Sequence, residues 1–495
     1  MTRLRAPRFR LRAAGASDSA LRATSDKSAR QVGGQTRNRV LQSGEHVVDV
    51  DIDALAPNGD GIAISKGRRL TVPFTIPGER VRIRIIERGR APALVSLVEI
   101  LRPSPHRITP RCRHFGLDAK PGVGPCGGCA WQHIAYPEQL RLKTELIDRL
   151  VRANVPDAPG ALRTLAATPL DQPWGYRHKV HFVFGDRGST LTMGHYVRGS
   201  RRVIPVVECP VHNERGNAFA FRARDTFAAA GLRPAGGERG TLRSLAIRVG
   251  CRTSELMATV VVSHDRDRRV RIATRQLLER TRLTSLHVNS HDRDDAFIFG
   301  PATRHLSGSA RMREEVAGAS LLMSPTAFFQ TNVEAAELLV QLVLAAMSST
   351  ARVLDLYAGS GLFAIPLAAA GHEVLAVEEN RVAVADGEAA LKLNKRARGR
   401  CRFLARRVEA ALPSLRDAEA VVLDPPREGC SASVLREVFG RLKPRQAVYI
   451  SCNPEALARE LPRICGSGYR LVSLQPVDMF PHTAHIETVV VLQSR

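Results

Sequence analysis

The stretch Arg352–Gly361, RVLDLYAGSG, does most to limit what this chain can fold into. An apolar strand runs into a glycine turn, LFAIPLAAA follows as a helix, and His372–Glu378 reads as a second strand ending on an acid. Strand, glycine turn, helix, strand is the grammar of a doubly wound parallel sheet. The glycines let the backbone approach a ligand, and the terminal acid reaches ribose hydroxyls. Tyr357, Gly359, Gly361 and Glu378 are therefore candidates for binding a cofactor. A dinucleotide fingerprint wants a third glycine where Ala364 stands, and Asp355 precedes the turn. S-adenosylmethionine carries no pyrophosphate, so a shorter glycine turn suffices and Asp355 would lie near its cationic end. A doubly wound fold that binds another ligand is the alternative at this point.

Downstream, more strands end on reactive side chains. Val421–Arg427, VVLDPPR, stops at an acid and two prolines, which presents Asp424 at a strand's carboxyl end, where open α/β sheets bind ligands. Methyltransferases acting on amino groups place an aromatic after such a motif; Arg427 stands there and argues against nitrogen as the target. In AVYISCNP a thiol, Cys452, stands at a strand tip before a helix starting near Pro454. A thiolate there gains from helix-start amides and from a cationic cofactor. HIETVVV puts Glu487 at the start of the last strand. Taken singly, these are also a buried Cys, a turn Asp and an edge Glu. Together they suit one reaction. Carbon 5 of uracil is too weak a nucleophile to take a methyl group unaided. A thiolate adding to carbon 6 turns the ring into an enolate, and a carboxylate then removes the carbon 5 proton.

The rest of the chain reads as accessory domains. Residues 1–43 are rich in Arg, Ser, Ala and Gly and poor in acids, the pattern of a disordered basic tail or a transit peptide. Over 44–103, short alternating runs such as VVDVDI and VRIRII, with Asn58-Gly59-Asp60-Gly61 as a turn, predict a small OB-like β-barrel or another small β-domain. Residues 104–320 predict an α+β central domain, with a helix over 137–153 and antiparallel strands from 175. The methyl-transfer candidates fall in 321–495.

Nine cysteines in 495 residues argue against a disulfide framework and for a reducing, cytoplasmic setting. Cys126 and Cys129 share one CGGC turn, Cys112 lies upstream, and Cys209 lies downstream before a proline. Four thiolates suit structural zinc or a 4Fe-4S cluster; a single close pair favours the cluster. The 73 Lys and Arg residues against 48 Asp and Glu give a formal charge of +25, which predicts a polyanionic partner, RNA or DNA. No apolar run is long enough to cross a bilayer.

FFQTN (328–332), DLYAGSG, LDPPR, SCNP and HIET, in that order, with CGGC followed by Trp131-Gln132-His133, resemble the RNA uracil-5-methyltransferase family. The likeness covers about 44–495 and is specific to the branch with a TRAM domain and an iron-sulfur cluster that acts on 23S ribosomal RNA. It implies a multidomain α/β protein: an N-terminal TRAM barrel, an α+β central domain and a C-terminal Rossmann-like class I methyltransferase domain. It implies Cys452 as nucleophile and Glu487 as base, with Gln330, Tyr357, Glu378 and Asp424 lining the cofactor and uridine pocket. Cys112, Cys126, Cys129 and Cys209 would hold a 4Fe-4S cluster, the cofactor would be S-adenosylmethionine, and the protein would be a monomer that binds RNA and no membrane. Transfer-RNA members of the family generally lack both the barrel and the cysteine cluster, which favours ribosomal RNA.

This chain departs from the pattern in three places. Thirteen residues separate Cys112 from Cys126 where the family has a shorter spacer, Leu362 replaces a common Asn, and Arg406 and Arg407 stand where an acid or Asn often contacts adenine. The first bears on Cys112 as a cluster ligand; the other two touch the cofactor grip and leave the covalent machinery intact. Leu362 and Arg407 also motivate one alternative, an RNA-binding protein with a degenerate catalytic domain; a transfer-RNA enzyme is the other, since related enzymes can differ in substrate.

Overall fold

The computed structural model describes residues 44–495, apart from 89–90, 117–124, 162, 170, 189, 237–239, 294–296, 348–351 and 417. The basic tail and most of the loop between Cys112 and Cys126 lie outside the described residues.

Two three-stranded antiparallel sheets form the N-terminal part. One pairs Glu45–Asp51, Arg80–Arg88 and Ala91–Arg102; the other pairs Ala54–Leu55, Gly61–Ser65 and Arg68–Val72. Alternation sends Val50, Ala63, Leu70, Val72, Val81, Ile83 and Ile85 into one shared core. The Asn58–Gly59 turn closes the short hairpin, with the Ala56 amide bonded to the Asp60 carbonyl at 2.8 Å. Gly59 (φ +85°) lies so close to the C-terminal part that a Cβ there would sit 2.6 Å from Ala484 Cβ and 2.8 Å from Trp131 Nε1.

A seven-stranded sheet forms the middle, flanked by helices Glu214–Ala229 and Arg268–Arg280. It is antiparallel as expected except at one pair. Leu256–Val262 runs parallel to Ser285–Ser290, because helix Arg268–Arg280 carries the chain back across before the second strand begins.

The C-terminal sheet contains β1 (Arg352–Leu356), β2 (Glu373–Glu378), β3 (Cys401–Ala405), β4 (Ala420–Leu423), β5 (Gln446–Ser451), β6 (Tyr469–Asp478) and β7 (Glu487–Ser494). Their order is β3-β2-β1-β4-β5-β7-β6, parallel throughout except β7, which is antiparallel to both neighbours. Val353, Leu354, Val421, Val422, Ala447 and Val448 are buried on both faces, as a sheet covered by helices requires. Helix Tyr136–Arg152 packs against this sheet through Ile147 and Val151, and Leu165–Ala166 adds an edge strand beside β6. Strand order reverses between β1 and β4, and ligands bind open α/β sheets in the crevice at such a point.

Candidate active site

The crevice carries acids on both sides. At the end of β2, Glu378 accepts the Gly359 amide at 2.9 Å and the Asn380 amide at 2.7 Å, which ties the glycine turn to the neighbouring strand. Gly361 (φ +93°) leaves no room for a side chain, since a Cβ would lie 2.8 Å from the Phe403 ring. Tyr357, also at positive φ (+66°), leaves β1 just before this turn. Burial, with the Cys430 and Glu409 side chains nearby, raises its phenol above the usual range.

Asp355 on β1 has no exposed surface, and neither carboxylate oxygen has a hydrogen-bond partner of normal geometry. Burial, then Asp424 and Glu378, push it well above the ordinary carboxylate range. Asp424 projects from the end of β4, and burial lifts it to about 7. Glu487 at the start of β7 is buried with Oε2 unpartnered, and burial and Asp424 raise it well above its ordinary value. The Cys452 thiol at the end of β5 is pushed up to about 12 by burial first and then by Glu487 and Asp424, with Arg427 acting in the opposite direction.

The structure therefore sets Asp355 beside Asp424 and Glu378, and Asp424 in turn beside Cys452 and Glu487. A cationic ligand would relieve three acids that burial drives toward their neutral forms. Those orphaned carboxylate oxygens, the glycine turn and the Glu378 anchor fit S-adenosylmethionine. Gln330 is 7% exposed and precedes helix Val333–Ala346. Asn332 caps that helix at the Ala335 amide (3.1 Å) and donates to the Met479 carbonyl (3.1 Å), fastening FFQTN beside the end of β6.

Asn453 holds the nucleophile loop in place. Its side chain caps helix Pro454–Gly466 at the Glu455 amide (3.1 Å) and donates to the Arg427 carbonyl (2.9 Å), joining the SCNP and DPPR loops. Beneath them Glu460 accepts the Tyr449 hydroxyl at 2.8 Å and the Cys430 amide at 3.1 Å. Sequence reasoning missed this network because Glu460 carries no motif; its place one helical face from SCNP is the signal that could have found it.

Cys112, Cys126, Cys129 and Cys209 all line one cavity of about 290 Å³. The CGGC turn is pinned by the Gly127 amide on the Tyr196 carbonyl (2.9 Å), and the Gly128 amide faces Cys126 Sγ at 3.4 Å. Burial raises all four thiols, Cys126 to about 11. Sequence reasoning did not find Arg177, His195 and His212, which line the same cavity. Arg177 draws down the Cys129 and Cys209 thiols, and its Nε has no partner among the described residues. Four thiols, Cys112 buried and the other three half-buried, with a guanidinium beside them form a donor set that fits a cluster carried by thiolates.

Residues 319–495 match the family described as tRNA (Uracil-5-)-methyltransferase. An uncharacterized RNA methyltransferase of Gloeobacter violaceus is 36% identical over 455 residues, covering 90% of this chain and 96% of that protein. One from Synechocystis is 34% identical, with the same coverage of each chain. The crystal structure of Pyrococcus abyssi tRNA (uracil-54, C5)-methyltransferase in complex with S-adenosyl-L-homocysteine superposes with a TM-score of 0.70, covering 90% of this chain and 100% of that one at 24% identity, which shows a shared fold. Among the described residues no helix is long and apolar enough to cross a membrane. With its class I sheet and the cysteine and carboxylates at the crevice, the chain belongs to the RNA uracil-5-methyltransferase family and is an S-adenosylmethionine-dependent enzyme of that kind.

Proposed function

We propose that this enzyme methylates carbon 5 of a uridine in ribosomal RNA through a covalent bond from Cys452 to carbon 6. The observation that carries the reading is the placement of Asp424, Cys452 and Glu487 at adjoining ends of the paired strands β4, β5 and β7. S-adenosylmethionine, when bound, supplies the methyl carbon; Asp355, Gly359, Gly361, Tyr357, Glu378 and Gln330 would hold it and frame the pocket. The uridine leaves its stack to reach the crevice. Cys452 gives up its proton to a neighbouring carboxylate, and its sulfur bonds to carbon 6, moving the ring electron pair onto carbon 5. Asp424 faces the base edge. Once carbon 5 carries the methyl group, Glu487 removes the remaining proton there, the carbon 5–carbon 6 double bond returns, and the Cys452 sulfur leaves.

Residues 44–103 would act as a TRAM barrel that grips RNA, and 104–320 would hold a 4Fe-4S cluster on Cys112, Cys126, Cys129 and Cys209. The formal charge of +25 supports the RNA contact, and nine free thiols support a cytoplasmic setting.

Transfer RNA is a second reading with its own support. The Pyrococcus abyssi protein, named for a transfer-RNA uridine, matches 90% of this chain in fold, N-terminal part included, so domain content does not separate the two substrates. Nucleoside mass spectrometry of ribosomal and transfer RNA, from cells with and without the gene, separates them. Loss of 5-methyluridine from large-subunit RNA supports the proposal; loss from transfer RNA alone replaces the substrate and keeps the chemistry.

A further inference from the structure

Strands Lys179–Arg187 and Leu242–Val249 lie side by side and antiparallel, so the residue before the first and those after the second leave the sheet together. The Val249 amide donates to the His178 carbonyl at 2.8 Å, and the His178 amide donates to the Thr331 carbonyl at 2.7 Å. That second bond brings helix Val333–Ala346 to the same edge, with Glu334 in its first turn. An imidazole, a thiol and a carboxylate converge there. One donor atom each from His178, Cys251 and Glu334 lies within 4.8 Å of the others.

The separations lie within a few tenths of an ångström of those a shared ion needs. The Cys251 thiol donates to Glu334 Oε1 at 3.1 Å, and His178 Nδ1 is 3.7 Å from Glu334 Oε2. Zinc bonds of about 2.0 Å to nitrogen and oxygen and about 2.3 Å to sulfur put tetrahedral donors roughly 3.3–3.7 Å apart. His178 is 7% exposed, yet its Nδ1 has no hydrogen-bond partner, and neither does Glu334 Oε2. Buried polar atoms are rarely left so, and two that stand 3.7 Å apart beside the Cys251 thiol suit a ligand held in common. The loop bearing Cys251 is held from behind by Glu314, which has no exposed surface and accepts the amides of Cys251 (2.6 Å) and Arg252 (3.1 Å). None of the three donors lines the four-cysteine cavity.

We propose that His178, Cys251 and Glu334 form a second metal site, which takes a zinc-class divalent ion and clamps the middle sheet to the start of helix Val333–Ala346, beside Gln330. Mixed nitrogen, sulfur and oxygen donors select such an ion over calcium or magnesium, which want oxygen alone. Three protein donors leave the fourth position to water.

Cobalt(II), whose thiolate complexes absorb by charge transfer, tests this on the full-length protein as isolated. Wild type is expected to bind one equivalent more cobalt than Cys251→Ser or Glu334→Gln, with thiolate absorption lost in Cys251→Ser and iron content equal in all three. Glu334 is half-exposed, so its conservative variant keeps the fold and guards against a misfolded Cys251→Ser. Equal cobalt binding and equal absorption in all three proteins, or no absorption in wild type, would overturn the site.

Discussion

Lys143 and Asp478 meet at 2.6 Å, with no exposed surface on either side chain, although they stand 335 positions apart in sequence. Lys143 also donates to the Phe480 carbonyl at 3.1 Å, and Asp478 accepts the Phe480 amide at 3.0 Å. One turn earlier on the same helix, Gln139 accepts the amide of His482, a residue at φ +64°, at 2.8 Å. Helix Tyr136–Arg152 thus grips residues 478–482, the start of the loop that delivers Glu487 to the crevice. Breaking a buried ion pair strands a charge and costs about 3–5 kcal/mol. Lys143→Ala should lose stability of that order in chemical denaturation and lose turnover beyond what unfolding explains. Wild-type stability in this variant would show that the pair does not hold the loop.

The pH dependence follows from the charges around Cys452. Its thiol sits at about 12, so the thiolate fraction grows tenfold per pH unit and covalent capture of uridine should accelerate from pH 7 to 9. Asp424 raises that thiol, so Asp424→Asn should displace the rate curve to lower pH. Arg427 lowers it, so Arg427→Gln should displace the curve to higher pH. Asp424 itself lies at about 7, and below pH 6 its substitution should lose this effect. Adduct formation with RNA, followed by intact-protein mass spectrometry, reads each curve; displacements of the same sign in both variants would refute the electrostatic account.

Glu487→Gln keeps the side chain's volume and removes the base. The protein–RNA adduct should form, take up the methyl group and persist, because carbon 5 keeps its proton. Denaturing gel electrophoresis with labelled methyl groups would show a protein band carrying both label and RNA. Free methylated RNA released at the wild-type rate would assign the proton to another group.

Gly59 offers a structural test of how the N-terminal part reaches the active-site loop. Gly59→Ala must fit a Cβ against Ala484 and Trp131 at a positive φ, a combination costing about 1–3 kcal/mol. Ala484 lies three residues before Glu487, so thermal stability and turnover should fall together. Unchanged values would mean that the turn yields freely.

Iron content tests the cysteine cavity. Protein purified without oxygen should carry about four irons per chain, and Cys129→Ser should lose them. One zinc and no iron, lost in the same variant, would make the site a structural zinc centre.

Much of this was legible because the chemistry sits on contiguous motifs. DLYAGSG, LDPPR, SCNP and HIET each place one reactive group at a strand end, so strand ends read from sequence become a site once the sheet order is known. The four cysteines were legible for the same reason, since a CGGC turn marks itself. What sequence did not show depends on long-range pairing. Lys143 looks like any surface lysine of an amphipathic helix until Asp478 is found opposite it. The parallel pair in the middle sheet follows from where helix Arg268–Arg280 returns the chain, which alternation does not encode. His178, Cys251 and Glu334 are spread over 157 residues, from 178 to 334, and share no spacing rule.

The central claim is a uridine methylated through Cys452, and one complementation measurement addresses it. Nucleoside mass spectrometry would compare RNA from cells lacking the gene, rescued with wild type or with Cys452→Ala. The account predicts that 5-methyluridine returns with wild type and stays absent with the variant, although both proteins accumulate equally. Restoration of 5-methyluridine by Cys452→Ala to the wild-type level would contradict it.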